Sequence, residues 1–265
     1  MEEPVKRAVD FTDSSVPAEM RNPEYLKFQE GKFKVSGDGC FYTLQGEGIT
    51  MGMPAVFLRL HVCNLQCVWC DSWYTWNKKT PQFWQEAFNW SIEETEKRLM
   101  EEWKCTDKRV PMRVIVTGGE PMLQKDLISE LALRHLDWRW EIETNGTLMP
   151  TQVMFEHFQF NCSPKLENSK NPAVLRIKPD VLRFIDRATS QFKFVVMAKE
   201  DLDEIERDFI STGFIRKDKV ILMPEGVTSQ AIWEHAREVA EYAKVKGYRM
   251  MGRMQTDVWG TRRRV

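Results

Sequence analysis

Apolar positions along this chain fall into short runs separated by stretches of helical period. Residues 55–62 (AVFLRLHV) form a β-branched, apolar run that predicts a strand. Further runs predict strands at 113–116, ending in Gly118-Gly119, and at 139–143, 158–162, 192–197 and 220–223, with 249–255 as a final one. Between them the period changes. Ser91 with Glu94 three residues on has the form of a capping box and starts a helix that runs to about Lys104. Helical patterns also cover 123–136, 179–187, 201–210 and 229–246. Strand followed by helix, repeated in this way, predicts parallel βα units, because parallel neighbours need a long crossover. A barrel and an open doubly wound sheet both satisfy that pattern.

Two segments depart from it. Residues 1–30 are polar, carry Pro4, Pro17 and Pro23, and read as a peripheral lead-in to a single core domain over 31–265. Residues 71–90 hold Trp73, Trp76, Trp84 and Trp90 together with Tyr74, Phe83 and Phe88. Such a stretch is either an insertion that buries its own aromatics or a stacking wall for a planar ligand.

Composition narrows the class. Of 265 residues 42% are apolar and 29% charged, which suits a buried core and argues against disorder. Lys plus Arg is 38 against 39 for Asp plus Glu, so no overall field favours direct nucleic-acid binding. No apolar run approaches the ~20 residues of a membrane span, and no secretory signal opens the chain. The expected location is the cytoplasm.

The cysteines carry the first chemistry. They stand at 40, 63, 67, 70, 105 and 162, and three of them form Cys63-Asn-Leu-Gln-Cys67-Val-Trp-Cys70 directly after a predicted strand. Thiolates so spaced converge on a metal centre. Only three are local, and an open coordination position is what a catalytic centre needs. His61 could add a fourth ligand, but its place in the strand should turn it away from the loop. Cys40, Cys105 and Cys162 are isolated and read as small core residues.

C-x3-C-x2-C after the first barrel strand resembles the signature of the radical S-adenosylmethionine (SAM) enzymes, and Asp71 after Cys70 strengthens the match. The resemblance implies an α/β fold, a modified and incomplete (β/α) barrel of parallel strands. It also implies a [4Fe–4S] cluster on Cys63, Cys67 and Cys70, with SAM on the remaining iron and a 5′-deoxyadenosyl radical as the reactive product. Thr117-Gly118-Gly119-Glu120-Pro121 resembles the segment that binds the SAM amino group in that family. The SAM residues implied are Trp69, Cys70, Asp71, Gly119, Glu120, Glu143, Asn145, Ser163, Pro164 and Lys165.

Further segments resemble one branch, the 7-carboxy-7-deazaguanine synthases. Leu44-Gln45-Gly46-Glu47-Gly48 is similar to the branch's substrate loop, Glu143-Thr144-Asn145-Gly146-Thr147 and Ser163-Pro164-Lys165 to two of its site elements. The resemblance assigns Leu44, Gln45, Gly46, Arg59 and Thr117 to the substrate, with Arg59 pairing a carboxylate through its two-pronged guanidinium. It implies a lyase that contracts the ring of 6-carboxy-5,6,7,8-tetrahydropterin and releases ammonia, for 7-deazapurine (queuosine-type) biosynthesis. It further implies Mg2+ held by Ser72, a flavodoxin- or ferredoxin-type electron donor and a homodimer. Two positions depart from the branch. Ser72 replaces a common Thr, keeping the hydroxyl, and Gln255-Thr256-Asp257 stands where a Q-x-H triplet is common. A glycyl-radical activating enzyme, a non-catalytic electron-transfer protein and an interaction protein built on the same fold are the rival readings.

Overall fold

The strand-forming runs meet in one sheet. The computed structural model describes residues 27–265 and, ahead of them, Val16 and Glu24. The lead-in expected over 1–30 therefore lies for the most part outside the described residues. The strands are β1 (Lys32–Leu44), β2 (Pro54–Leu60), β3 (Ala87–Ser91), β4 (Arg113–Gly118), β5 (Arg139–Thr144), β6 (Phe158–Cys162), β7 (Ser190–Val196), β8 (Val220–Pro224) and β9 (Arg249–Met250). Among the described residues they lie in the order β3-β1-β2-β4-β5-β6-β7-β8-β9. From β2 to β9 through β4 every pairing is parallel, as the alternation of strand and helix predicts.

The other edge differs. β1 pairs antiparallel with both β2 and β3. The connection over residues 45–53 is too short for a crossover, so the chain can only return antiparallel. β1 is hard to see in sequence because its register shifts between Val35 and Cys40, where Gly37 and Gly39 interrupt the alternation.

Alternation along the parallel strands sorts the two faces. Val56, Leu58 and Leu60 of β2, and Phe192, Phe194 and Val196 of β7, are fully buried in the main core. Their neighbours Phe57 and Arg59, and Lys193 and Val195, face the opposite side, where a cavity opens. Side chains from β5, β7 and the β1–β2 connection touch one another across that side, which makes the sheet a partial barrel. Its ends, β3 and β9, are far apart in the strand order.

The helices fall where the period places them, with instructive ends. Ser91 Oγ accepts from the Glu94 backbone N–H (3.1 Å) and starts the helix Ile92–Glu102. The helical pattern at 123–136 resolves into a tight turn, Pro121–Gln124, and the helix Lys125–Arg134. Ile205–Ile210 widens into a π-helix after Lys199–Glu204. The strand expected over 249–255 is corrected: only Arg249–Met250 pairs, and Met254–Trp259 is a helix. Met254 N–H bonds the Gly46 carbonyl (3.0 Å), so the chain leaves the sheet to close over the β1–β2 connection.

Residues 71–90 divide between their two readings. Phe83 and Trp84 bury each other with Val16 in a small separate cluster. Trp73, Tyr74 and Trp76 instead line the cavity.

Candidate active site

The cavity lies at the C-terminal ends of the parallel strands, where βα connections can present side chains, and measures about 560 Å³. Cys63, Cys67 and Cys70 all line it; Cys40, Cys105 and Cys162 do not. None of the six is in a disulfide.

The cysteine loop starts abruptly. β2 ends at Leu60, and Val62 adopts a left-handed φ of 77° that turns the chain into the loop. Two backbone bonds seat this turn against β4: Gly119 N–H to Leu60 O (3.1 Å) and Glu120 N–H to Val62 O (2.9 Å). A Cβ on Gly118 would strike the Leu60 backbone, and one on Gly119 the Val62 carbonyl. The Gly-Gly pair thus permits close approach of two strand ends, which places the SAM-type segment next to the cysteines. The loop is also held from 166–172. Gln66 N–H donates to Asn171 Oδ1 (2.9 Å), Val68 N–H to Ser169 O (3.3 Å) and Trp69 Nε1 to Asn168 Oδ1 (3.1 Å).

Burial raises all three thiols. Cys70 is pushed up to about 11, with the Asp71 charge adding to the effect. Cys63 is raised by burial and by Glu120. Cys67 is raised less steeply, since Lys165 and a bond from Asn171 favour its thiolate. Among the described residues no three His, Cys, Asp or Glu side chains converge as one metal ion requires. An iron–sulfur cluster presents a separate iron to each thiolate, so three soft sulfur donors spread along one cavity wall fit it. His61 is buried against Phe83 (4.7 Å between ring centroids), away from the cavity; it stands just past the end of β2 rather than in the strand, where alternation would have turned it to the side of Phe57 and Arg59.

Of the remaining sequence-derived residues, Leu44, Gln45, Gly46, Arg59, Trp69, Asp71, Ser72, Thr117, Gly119, Glu143, Asn145, Ser163 and Lys165 line the cavity. Glu120 and Pro164 do not. The Glu120 carboxylate is buried and accepts from Asn145 N (2.7 Å), Thr144 Oγ1 (2.8 Å) and Met122 N (3.0 Å), joining the ends of β4 and β5. Lys165 donates to Ser163 Oγ (2.9 Å) and lies over the Trp69 ring (5.2 Å). Ser72 Oγ donates to Asp71 Oδ1 (2.9 Å), which gathers two hard oxygen donors beside Cys70. Asp257, the departure near the C-terminus, lies outside the cavity and accepts from Ser229 Oγ; Gln255 faces inward.

The opposite wall contains what sequence reasoning missed. Lys193, only 4% exposed at its side chain, donates to Glu47 Oε2 and Glu143 Oε2, each at 2.7 Å. Arg253 reaches Glu47 (3.4 Å) and Asp71 (3.3 Å). Gln45 donates to Glu143 Oε1 (3.1 Å) and Gln255 to Glu47 Oε1 (3.0 Å). Burial alone would raise Glu47, but the charges of Lys193 and Arg253 outweigh it and hold the carboxyl at about 2. Burial raises Glu143, and Lys193 offsets only part of that. Burial likewise opposes the Lys193 charge, but the two carboxylates win and its ammonium is held charged. An inward Lys in the run Phe192-Lys193-Phe194 was the available signal, since a lone charge between core phenylalanines needs partners.

A thiol-lined cavity at the strand ends, with a Gly-Gly-Glu-Pro turn beside it, is the arrangement expected of a radical SAM protein. Residues 58–158 match the Radical SAM superfamily, whose members work with a [4Fe–4S] cluster and SAM. Among curated proteins, the chain is 34% identical to 7-carboxy-7-deazaguanine synthase of Pyrobaculum aerophilum, covering 84% of this chain and 94% of the relative. It is 33% identical to the enzyme of the same name from Halobacterium salinarum, covering 83% and 88% respectively. The crystal structure of QueE from Escherichia coli shares the fold, with a TM-score of 0.63, 22% identity and coverage of 88% of this chain and 100% of that one. The chain belongs to the 7-carboxy-7-deazaguanine synthase family.

Proposed function

We propose that this protein is a lyase that converts 6-carboxy-5,6,7,8-tetrahydropterin to 7-carboxy-7-deazaguanine with loss of ammonia. The observation that carries the reading is the sharing of one cavity by Cys63, Cys67, Cys70 and Arg59. When bound, the cluster and SAM supply one-electron chemistry able to open a carbon–hydrogen bond. The chain's own residues bind, orient and shield. Cys63, Cys67 and Cys70 hold the cluster. Asn145, Ser163 and Lys165 line the SAM side, and Trp69 stacks under the Lys165 ammonium.

On the substrate side, Gln45 and the backbone of Gly46 meet the pterin edge, and Arg59 takes the carboxylate. Phe41 lies beneath that guanidinium (5.5 Å), a cation–π contact on the cavity wall. Trp73, Tyr74 and Trp76 limit water access. The Ser72 hydroxyl, with Asp71 beside it, fits Mg2+, a hard cation that prefers oxygen; it would neutralise the substrate carboxylate and fix its orientation. A flavodoxin- or ferredoxin-type protein delivers the electron. The active form is a homodimer of single-domain chains in the cytoplasm. Among the described residues no helix is long and apolar enough to cross a membrane.

The relatives favour this reading over a glycyl-radical activase, and the Arg59-lined cavity suits a small carboxylated substrate. The test is anaerobic reconstitution, then incubation with SAM, dithionite and the carboxypterin. Formation of 7-carboxy-7-deazaguanine, read by ultraviolet absorbance and mass, is expected. SAM cleavage without that product would refute the substrate assignment, and a zinc-loaded, iron-free protein would refute the radical chemistry.

A further inference from the structure

The turn 166–172 meets the cysteine loop through three bonds that only hold backbone or indole, and through a fourth that is aimed at sulfur. Asn171 Nδ2 donates to Cys67 Sγ at 3.3 Å, and the same NH2 group also donates to Ser169 Oγ (3.2 Å) and Ser169 O (3.3 Å). Its orientation is set from the other end of the same amide. Asn171 Oδ1 accepts from Gln66 N–H (2.9 Å), and a flipped amide would face that N–H with a second donor. The backbone of Asn171 is held in turn: Arg176 Nε donates to its carbonyl (3.1 Å), and buried Arg176 is paired with Glu204 (2.7 Å). Asn171 is 9% exposed and Cys67 6%, so water competes weakly for the sulfur.

We infer that Asn171 is a positioning residue that raises the reduction potential of the iron–sulfur centre by donating an N–H to the Cys67 sulfur. The inference rests on the reading that Cys67 is a cluster ligand. Reduction adds negative charge that spreads onto the ligand sulfurs, and a donor fixed on one of them stabilises the reduced form more than the oxidised one. In a buried, low-dielectric setting that difference is large enough to matter. The other two cysteines differ. The Cys63 sulfur accepts from Leu65 N–H within its own loop (3.4 Å), and the Cys70 sulfur meets donors close to it in sequence, the Ser72 backbone N–H and the Trp76 indole, with Ser72 Oγ at 4.0 Å. The Cys67 sulfur, by contrast, accepts from a side chain held in a distant part of the chain.

Two variants separate donation from loop holding. Asn171→Asp keeps an acceptor for Gln66, loses the donor and adds charge. Asn171→Leu keeps the branched shape and heavy-atom count, though it is bulkier, and loses both roles without adding charge. Iron content is measured first, then the midpoint potential by anaerobic redox titration followed by electron paramagnetic resonance without SAM. The expected order of potential is wild type above Asn171→Leu above Asn171→Asp. At fixed ambient potential the reduced-to-oxidised ratio of Asn171→Leu falls about tenfold, which is ~59 mV for a one-electron couple. After exchange into D2O, the reduced wild type shows an exchangeable proton coupled to the cluster that both variants lack. An unshifted Asn171→Leu with full iron overturns the inference even if Asn171→Asp is lowered, since charge alone then explains the shift. Loss of iron from both also overturns it, because Asn171 is then a clamp. If only Asn171→Leu loses iron, the exchangeable-proton signal of Asn171→Asp decides: its absence supports the inference and its persistence overturns it. Absence of any cluster from the wild type is a separate outcome that sinks the parent reading.

Discussion

The two walls of the cavity are built on opposite principles. The cysteine wall comes from one short loop, carries little charge apart from Asp71, and is held by directional bonds from 166–172. The facing wall joins Glu47, Glu143, Lys193 and Arg253 from four distant parts of the chain, and they hold one another by charge. A loop of neutral thiols tolerates an apolar surround, since burial raises each of them and keeps it uncharged. A wall of buried charges stands only if every charge finds its partner, since an unpaired one costs several kcal/mol. Under the proposed function the first wall holds the cluster and the second faces the polar substrate.

The largest test of this contrast is on the cysteine wall. Cys63→Ala, Cys67→Ala or Cys70→Ala should abolish the reconstituted cluster of about four irons and four sulfides. The same change at Cys40, Cys105 or Cys162 should leave iron content intact, and elemental analysis decides. On the charged wall, Lys193→Met removes one cation from between two carboxylates, and breaking a buried pair costs about 3–5 kcal/mol. Denaturant unfolding of the cluster-free protein should show a loss of that size, and a loss below 1 kcal/mol would mean that the wall does not depend on the pairing.

Acid should act on the same wall. Glu47 is held at about 2, below the ~4.3 of a free Glu, so its ionised form is stabilised by folding. That stability is fully present above about pH 4.3 and is lost as pH falls through about 2, a contribution on the order of 3 kcal/mol. Glu47→Gln should flatten the dependence of unfolding free energy on pH across this window; an unchanged slope would place the acid sensitivity elsewhere.

Smaller effects read out the chemistry. Arg59→Ala should keep the cluster and cleave SAM reductively, yet turn over the carboxypterin at least ~30-fold less efficiently, the low end of a lost charge-assisted pair. Arg59→Lys should be impaired as well, because it keeps the charge and loses the fork. Full activity in Arg59→Ala would favour a different substrate. Least in size, Ser72→Ala should lower turnover a few-fold and blunt its response to magnesium, and Ser72→Thr should restore both. An unaltered magnesium titration in Ser72→Ala would leave the serine as only a partner of Asp71.

How much of this was readable differs by wall. C-x3-C-x2-C needs no tertiary information, because its three donors lie within eight residues and the strand ahead of them is an apolar run broken only by Arg59. The parallel strands and most helices were equally open to reading, since each is defined by a local period and local caps such as Ser91. The antiparallel edge was not. The bulge between Val35 and Cys40 breaks the alternation of β1, and β3 lies inside the aromatic segment. The last stretch misled, because an extended pattern over 249–255 gave way after Met250 to a helix anchored on the Gly46 carbonyl.

Sequence by itself therefore determined the α/β class, the location of the clustered thiols and, through resemblance, the family to which the relatives then pointed. Tertiary structure alone decided which acids and bases meet. Nothing in the spacing of residues 47, 143, 193 and 253 marks them as neighbours, because strand order and sheet curvature, not chain separation, bring them within 2.7–3.4 Å. It also gave Glu120 its place between β4 and β5, turned Asp257 out of the cavity and aimed the Asn171 amide at Cys67. A local motif encodes its geometry in one continuous piece of backbone, whereas a site made from separate strands inherits its geometry from the packing of the whole sheet.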